Sequence, residues 1–140
     1  MEKSYSFKKD ERLKGKKAIA ILFDKGNSFY CYPFRVLWMP LAHQGSYPAQ
    51  TAVSVSKKYF KKAVDRNRIK RLMREAWRLN KISIYNTLEE HKGKIILMIL
   101  FTGTRLPSYR LVLDSMEEVV SKLSLLLHDA ENIEKPPEEL

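Results

Sequence analysis

The stretch from Ala63 to Asn80 (AVDRNRIKRLMREAWRLN) can bury only one of its sides, and this limits what can surround it. Ile69, Leu72, Met73, Ala76 and Trp77 recur at i, i+3, i+4, i+7 and i+8, the apolar stripe of an amphipathic helix. At about 100° per residue, Asn67, Lys70, Arg71, Arg74 and Arg78 fall on the opposite face. Arg66 and Arg68 flank the stripe. Asp65 stands in the first turn, where a carboxylate complements the positive end of the helix dipole. One face is core and the other is a ridge of cations.

From Lys57 to Arg78 there are ten Lys/Arg and two acids, a net of +8 in a chain whose total is +10. Solvated helix faces usually mix both signs at i, i+4 spacing, and this one hardly does. Like charges packed together cost stability unless a polyanion neutralises them. Clustered cations of this kind point to nucleic acid or to an anionic membrane surface. No apolar run approaches the roughly 20 residues of a membrane-spanning helix. The first residues, MEKSYSFKKDERLK, lack the apolar core of a secretory signal. A single cysteine, Cys31, excludes an internal disulfide and a cysteine-rich zinc site. A cytoplasmic protein with no membrane attachment is expected.

Three segments are expected: a basic arm over residues 1–12, one α/β domain over 13–130 and an acidic disordered tail over 131–140. Leu13 to Lys25 reads as a short helix, with Gly26 placed to stop it in the left-handed conformation. By periodicity, Phe23 on that helix reads as core. Phe29 to Trp38 is rich in aromatic and β-branched residues and reads as strand, with Pro33 at an edge or bulge near its start. Pro40 to Gln50 reads as a loop. In Thr51 to Ser56, Val53 and Val55 face one way and Ala52, Ser54 and Ser56 the other. Small hydroxyl residues beside Lys57 and Lys58 can floor a polar groove or face solvent. Lys81 to Lys94 reads as a weakly patterned connection with one more helical turn, closed by Gly93. Ile95 to Phe101 (IILMILF) is apolar on both faces, as a buried central strand requires. Met116, Val119, Val120, Leu123, Leu126 and Leu127 mark a last amphipathic helix. The order is helix, two or three strands, helix, strand, helix: an α/β sandwich built on one sheet.

Little here points to chemistry. His43, His91 and His128 stand apart in sequence, without an i, i+4 partner or a neighbouring cysteine, so no metal site is expected. There is no phosphate-binding glycine loop and no G-x-S-x-G. The acids lie mainly outside the basic region, at Glu89–Glu90, Glu117–Glu118 and in the tail, with nothing to make them converge. From the residues alone the chain is an RNA- or DNA-binding domain without a catalytic centre of its own.

SVSKK at Ser54 to Lys58, followed by AVDRNRIKRLMREAW at Ala63 to Trp77, closely resembles the protein subunit of bacterial ribonuclease P. Arg66, Asn67 and Arg68 match the Arg-Asn-Arg core of that family's signature. Arg12, Leu13, Lys14, Phe23 and Gly26 match its amino-terminal pattern. The resemblance implies a two-layer α/β (α+β) sandwich in the order α-β-β-β-α-β-α. Its one four-stranded sheet would carry a left-handed βαβ crossover through the signature helix. It also implies a subunit that binds a catalytic RNA and assists removal of the 5′ leader from precursor tRNA. The catalytic centre and its Mg2+ would lie mainly on the RNA, and no obligate protein partner is implied.

By the same resemblance, Arg66, Asn67, Arg68, Lys70, Arg71 and Arg74 face the catalytic RNA. Phe23, Trp38, Ser54, Ser56, Lys57 and Lys58 form a cleft for the single-stranded leader, where aromatics stack on bases and cations track the backbone. Lys61-Lys62 replaces the family's usual Gly-Asn, Ile19 replaces a second cleft aromatic, and Arg105 is displaced after the fourth strand. A ribosomal or general RNA-binding domain of similar fold is the alternative reading.

Overall fold

The computed structural model describes residues 7–41 and 46–129. Met1 to Ser6 of the expected arm, His43 and Gly45 of the loop, and the expected tail lie outside the described residues. The elements are α1 (Lys16–Lys25), β1 (Asn27–Cys31), β2 (Phe34–Pro40), β3 (Ala49–Val55), α2 (Ala63–Asn80), α3 (Ile82–Glu90), β4 (Ile95–Phe101) and α4 (Tyr109–His128), preceded by a 3-10 turn at Lys9–Glu11. This is an α+β fold in the expected order, with α3 added directly after α2.

The four strands form one mixed sheet in the order β1-β2-β4-β3. β4 is central because IILMILF has an apolar side chain for each face. It runs antiparallel to β2, pairing Trp38 with Leu97, and parallel to β3, pairing Val53 with Ile99. A parallel pair needs a crossover connection, and α2 with α3 supplies it.

The period of two along each strand sorts the core into two layers. Phe34, Val36, Trp38, Ala49, Val55, Leu97, Ile99 and Phe101 face α2, α3 and α4. There they meet Ile69, Met73, Trp77, Leu88, Val119 and Leu123. The alternate residues Leu37, Met39, Ile96 and Met98 face the other way, onto Leu13 and Leu22 under α1. α2 buries Ile69, Met73, Ala76 and Trp77 completely, the stripe its spacing predicts.

Four local expectations are revised. Phe29 to Trp38 is a hairpin instead of one strand, because Tyr32 and Pro33 form the turn between β1 and β2 through a cis peptide bond. α1 starts at Lys16, since Leu13 is occupied at the sheet edge, its amide donating to the Thr51 carbonyl at 2.9 Å. Gly26 has φ −70°, so it is not left-handed. A Cβ there would sit 2.4 Å from the Leu22 carbonyl oxygen, so the glycine answers a close approach. Finally, residues 82–90 form a helix that buries Ile84, Tyr85, Thr87 and Leu88.

That helix closes with the amide of Gly93 donating to the Leu88 carbonyl and the amide of Lys92 to the Glu89 carbonyl. This is a Schellman closure, which normally places glycine at the left-handed residue. Here Lys92 occupies it at φ 54°, and Gly93 comes one position too late to help. Lys92→Gly is expected to raise unfolding stability by about 1 kcal/mol, by removing the steric cost of a side chain in that conformation. A higher urea midpoint with unchanged slope is the expected result; a lower midpoint would show that Lys92 makes compensating contacts.

Candidate nucleic-acid interface

α2 starts without a side-chain cap at Lys62. Its first turn is held by Arg66, whose Nη1 donates to the Phe60 and Lys61 carbonyls at 2.8 and 2.9 Å. Phe60 is itself buried, its ring centroid 5.8 Å from that of Phe101. Arg66 therefore braces the approach to the helix with part of its guanidinium. Asn67, Arg68 and Arg71 are exposed, and Lys70 and Arg74 are half-buried.

One turn apart on the outer face, Asn67, Arg71, Arg74 and Arg78 line a groove, and Phe7 and Arg12 form its opposite wall. Glu75 also lines it, but its carboxylate is taken by Arg78 at 2.6 Å, which holds it below the usual carboxylate range. Burial pushes the Arg74 guanidinium pKa down, and the like charge of Arg12 pushes it further. Two guanidinium groups facing each other in a groove make a site that an anion would relieve.

The wall is held by the residue before Arg12. Glu11 is 1% exposed and its carboxylate is fully engaged. One oxygen accepts from the Lys8 amide at 2.7 Å. The other accepts from the Tyr85 hydroxyl at 2.6 Å and from the Lys81 ammonium. Lys81 is wholly buried, 5.2 Å from the Tyr85 ring centroid and 5.7 Å from that of Phe7. Burial lowers its pKa and the Glu11 carboxylate pulls it back up. Burial and the same carboxylate raise that of Tyr85. Arg12 then lies 5.2 Å over the Phe7 ring and bridges to Thr51 on the outer edge of β3.

A second surface lies on the α1 side of the sheet, where α1 covers only part of the strands. Beyond it, Tyr30, Arg35, Leu100 and Ser54 form one cross-strand row, paired successively through β1, β2, β4 and β3. Tyr30 and Arg35 are exposed, and Leu100 and Ser54 are half-buried. Phe23 on α1 is 55% exposed, so it is not core. Lys57 and Lys58 are exposed on the turn after β3, where the Ser56 hydroxyl accepts from the Lys58 amide at 3.0 Å. Lys58 lies 5.4 Å over the Tyr59 ring.

Trp38 does not belong to this surface. It is 2% exposed and sits under α2, α3 and α4, because its place in β2 gives it the parity of Val36 and not that of Leu37. Arg12, Phe7 and Glu11 were missed by sequence reasoning, as were Tyr30 and Arg35. The strand parity could have found Arg35. Nothing in the sequence pairs Glu11 with Lys81.

The sequence model of the family described as Ribonuclease P matches residues 7–124. The ribonuclease P protein component of Porphyromonas gingivalis is 34% identical over 122 residues, covering 86% of this chain and 88% of that one. The corresponding protein of Chlorobium phaeobacteroides is 31% identical, covering 86% and 89%. Among solved structures, the RNase P protein of Staphylococcus aureus superposes with a TM-score of 0.63 at 23% identity, over 81% of this chain and 94% of that one. That of Thermotoga maritima gives 0.53 at 25% identity, over 84% and 96%.

Removing Glu11 alone takes the carboxylate away from the buried Lys81 ammonium. Glu11→Leu is expected to cost about 3–5 kcal/mol of stability. The double variant Glu11→Leu/Lys81→Met should recover most of it, as read by denaturant unfolding. A double variant no more stable than the single one would show that the charge pair is not the source of the loss.

Proposed function

Since the chain belongs to the ribonuclease P protein family, we propose that it works as the protein subunit of that endoribonuclease in forming the 5′ end of tRNA. Its partner is the catalytic RNA, and its substrate is precursor tRNA. The observation that carries the reading is the groove along α2. Arg12, Arg71, Arg74 and Arg78 converge there, on the side of α2 away from its buried Ile69, Met73, Ala76 and Trp77. The groove alone would equally suit a ribosomal RNA-binding domain, and the family match over residues 7–124 is what favours ribonuclease P.

Asn67, Arg68, Lys70, Arg71 and Arg74 contact phosphates of the catalytic RNA, with Arg66 dividing its guanidinium between that role and the turn it braces. The leader lies along the sheet beside α1. Phe23 and Tyr30 offer aromatic faces, Arg35, Lys57 and Lys58 offer cations, and Ser54 and Ser56 offer hydroxyls. Stacking on aromatics with backbone-tracking cations holds single strands of any sequence.

The magnesium of the reaction is assigned to the RNA. The two carboxylates of α2 do not suit it. Asp65 and Glu75 are ten residues apart on one helix, about 15 Å, and Glu75 is already bound to Arg78. This chain's part is to neutralise phosphate charge and to orient two RNAs against each other.

Rigorously RNA-free protein is expected to leave precursor tRNA uncut in Mg2+, and addition of the cognate catalytic RNA to restore leader removal. The affinity for that RNA should fall steeply with salt, by roughly one counterion per phosphate contact. Cleavage by the protein alone, or a flat salt response, would overturn the assignment.

The two surfaces should separate by mutation. Both Arg71 and Phe23 are exposed, so truncating either should leave the melting temperature unchanged. Arg71→Ala is expected to weaken assembly with the catalytic RNA whatever the substrate. Phe23→Ala should leave assembly intact and reduce the preference for precursor over mature tRNA by about 1–3 kcal/mol per stacked base. Competition binding of the two tRNAs to the assembled enzyme checks this, and an unchanged preference would remove Phe23 from the leader path.

A further inference from the structure

Sequence spacing sets His91 and His128 thirty-seven positions apart, yet the fold brings them together. One ligand atom from each, with one carboxylate oxygen of Glu90, lies within 4.8 Å of the other two. We propose that Glu90, His91 and His128 form a binding site for a zinc-class divalent cation, joining the C-terminal ends of α3 and α4.

The geometry is close to what such an ion needs. For three atoms within 4.8 Å of one another, some point lies within about 2.8 Å of all three, and small side-chain rotations reach the roughly 2.0–2.2 Å of zinc–nitrogen and zinc–oxygen bonds. Two imidazoles and one carboxylate, with water in the fourth position, suit zinc or its first-row neighbours and not magnesium, which prefers an all-oxygen shell.

The backbone presents these groups from fixed positions. Glu90 is the last residue of α3 and His91 its C-cap, and the Schellman bonds from Lys92 and Gly93 close the chain immediately after them. His128 is the last residue of α4. Each helix directs the negative end of its dipole toward the site, which favours a cation. Glu89 and Asp129 add carboxylates next to the ligands in sequence, while Lys92 and Lys94 add opposing charge. Both helices feed one core, through Ile84 and Leu88 from α3 and Leu123 and Leu127 from α4. A bound ion would therefore tie together the ends of two helices that already pack, and would stabilise the fold by linkage. None of the residues assigned to RNA lies on α3 or α4, so the site stands apart from the RNA-binding reading.

The test is isothermal titration of the full chain, without a histidine tag or RNA, with ZnCl2 and separately with MgCl2 near neutral pH. One Zn2+ site is expected, at least about tenfold tighter than Mg2+, with a rise in melting temperature on Zn2+ addition. His91→Gln and His128→Gln should each weaken Zn2+ binding by about tenfold or more and abolish the thermal shift. Circular dichroism of the variants establishes that the fold survives. The proposal is overturned by absence of Zn2+ binding at tens of micromolar. It is equally overturned by unchanged binding in the double variant His91→Gln/His128→Gln, which would move the ion to another pair such as Cys31 and Glu118, 3.4 Å apart.

Discussion

The buried contact of Glu11 with Lys81 and Tyr85 decides where the basic surface ends. It joins the segment before α1 to the junction of α2 and α3 across seventy residues of sequence. Buried ion pairs gain little net stability, because desolvating two charges offsets most of their attraction. They are strict about position, because either charge without the other is costly. Once Glu11 is paired, Arg12 has little freedom. Its side chain lies over Phe7, its backbone bridges to Thr51 on the β3 edge, and its charge lies near Arg74. A helix with one cationic face becomes a groove with two cationic walls.

The sheet then keeps the two proposed RNA surfaces apart. Along each strand the side chains alternate between the layer under α2, α3 and α4 and the layer beside α1. Residues of one parity hold up the signature helix, and residues of the other parity floor the open strip where Arg35 and Ser54 lie. Trp38 and Leu37 are neighbours in sequence, yet they serve different layers. A shift of one residue in the pairing of β2 would exchange them, and it would also carry the exposed Arg35 into the layer under the helices, which opposes it.

How much of this could be read from the chain depends on the range of the interaction. α2 was fully legible, bounds included, because a 3.6-residue period with five apolar positions has one solution. β4 was legible for the same reason at period two. The hairpin was hidden because Tyr32 and Pro33 interrupt an aromatic run that has strand character on both sides. α3 was hidden because Ser83, Asn86 and Thr87 are weak helix formers, and its helix is stabilised by Ile84, Tyr85 and Leu88 entering a core that the sequence does not display. At the site, the helix cations were visible in their spacing. The second wall of the groove was not, since it rests on a carboxylate and an ammonium that meet only in three dimensions. Phe23 and Trp38 show the same limit from opposite sides. Phe23 has a core-like spacing but is exposed, and Trp38 aligns loosely with a cleft position but is core.

The cationic ridge is tolerable because its cost and its support are of different sizes. Like charges at i, i+4 on an exposed helix face each oppose the helix by a few tenths of a kcal/mol. The opposite face buries Ile69, Met73, Ala76 and Trp77 completely, and large apolar side chains contribute roughly 1.5–3 kcal/mol each. The apolar stripe outweighs the repulsion several times over, so α2 stays helical although only Arg78 of its ridge is paired with a carboxylate of the same helix. The repulsion that remains, which includes that between Arg12 and Arg74, is what an anion would relieve. A surface folded in this way would bind a polyanion by releasing repulsion it already carries.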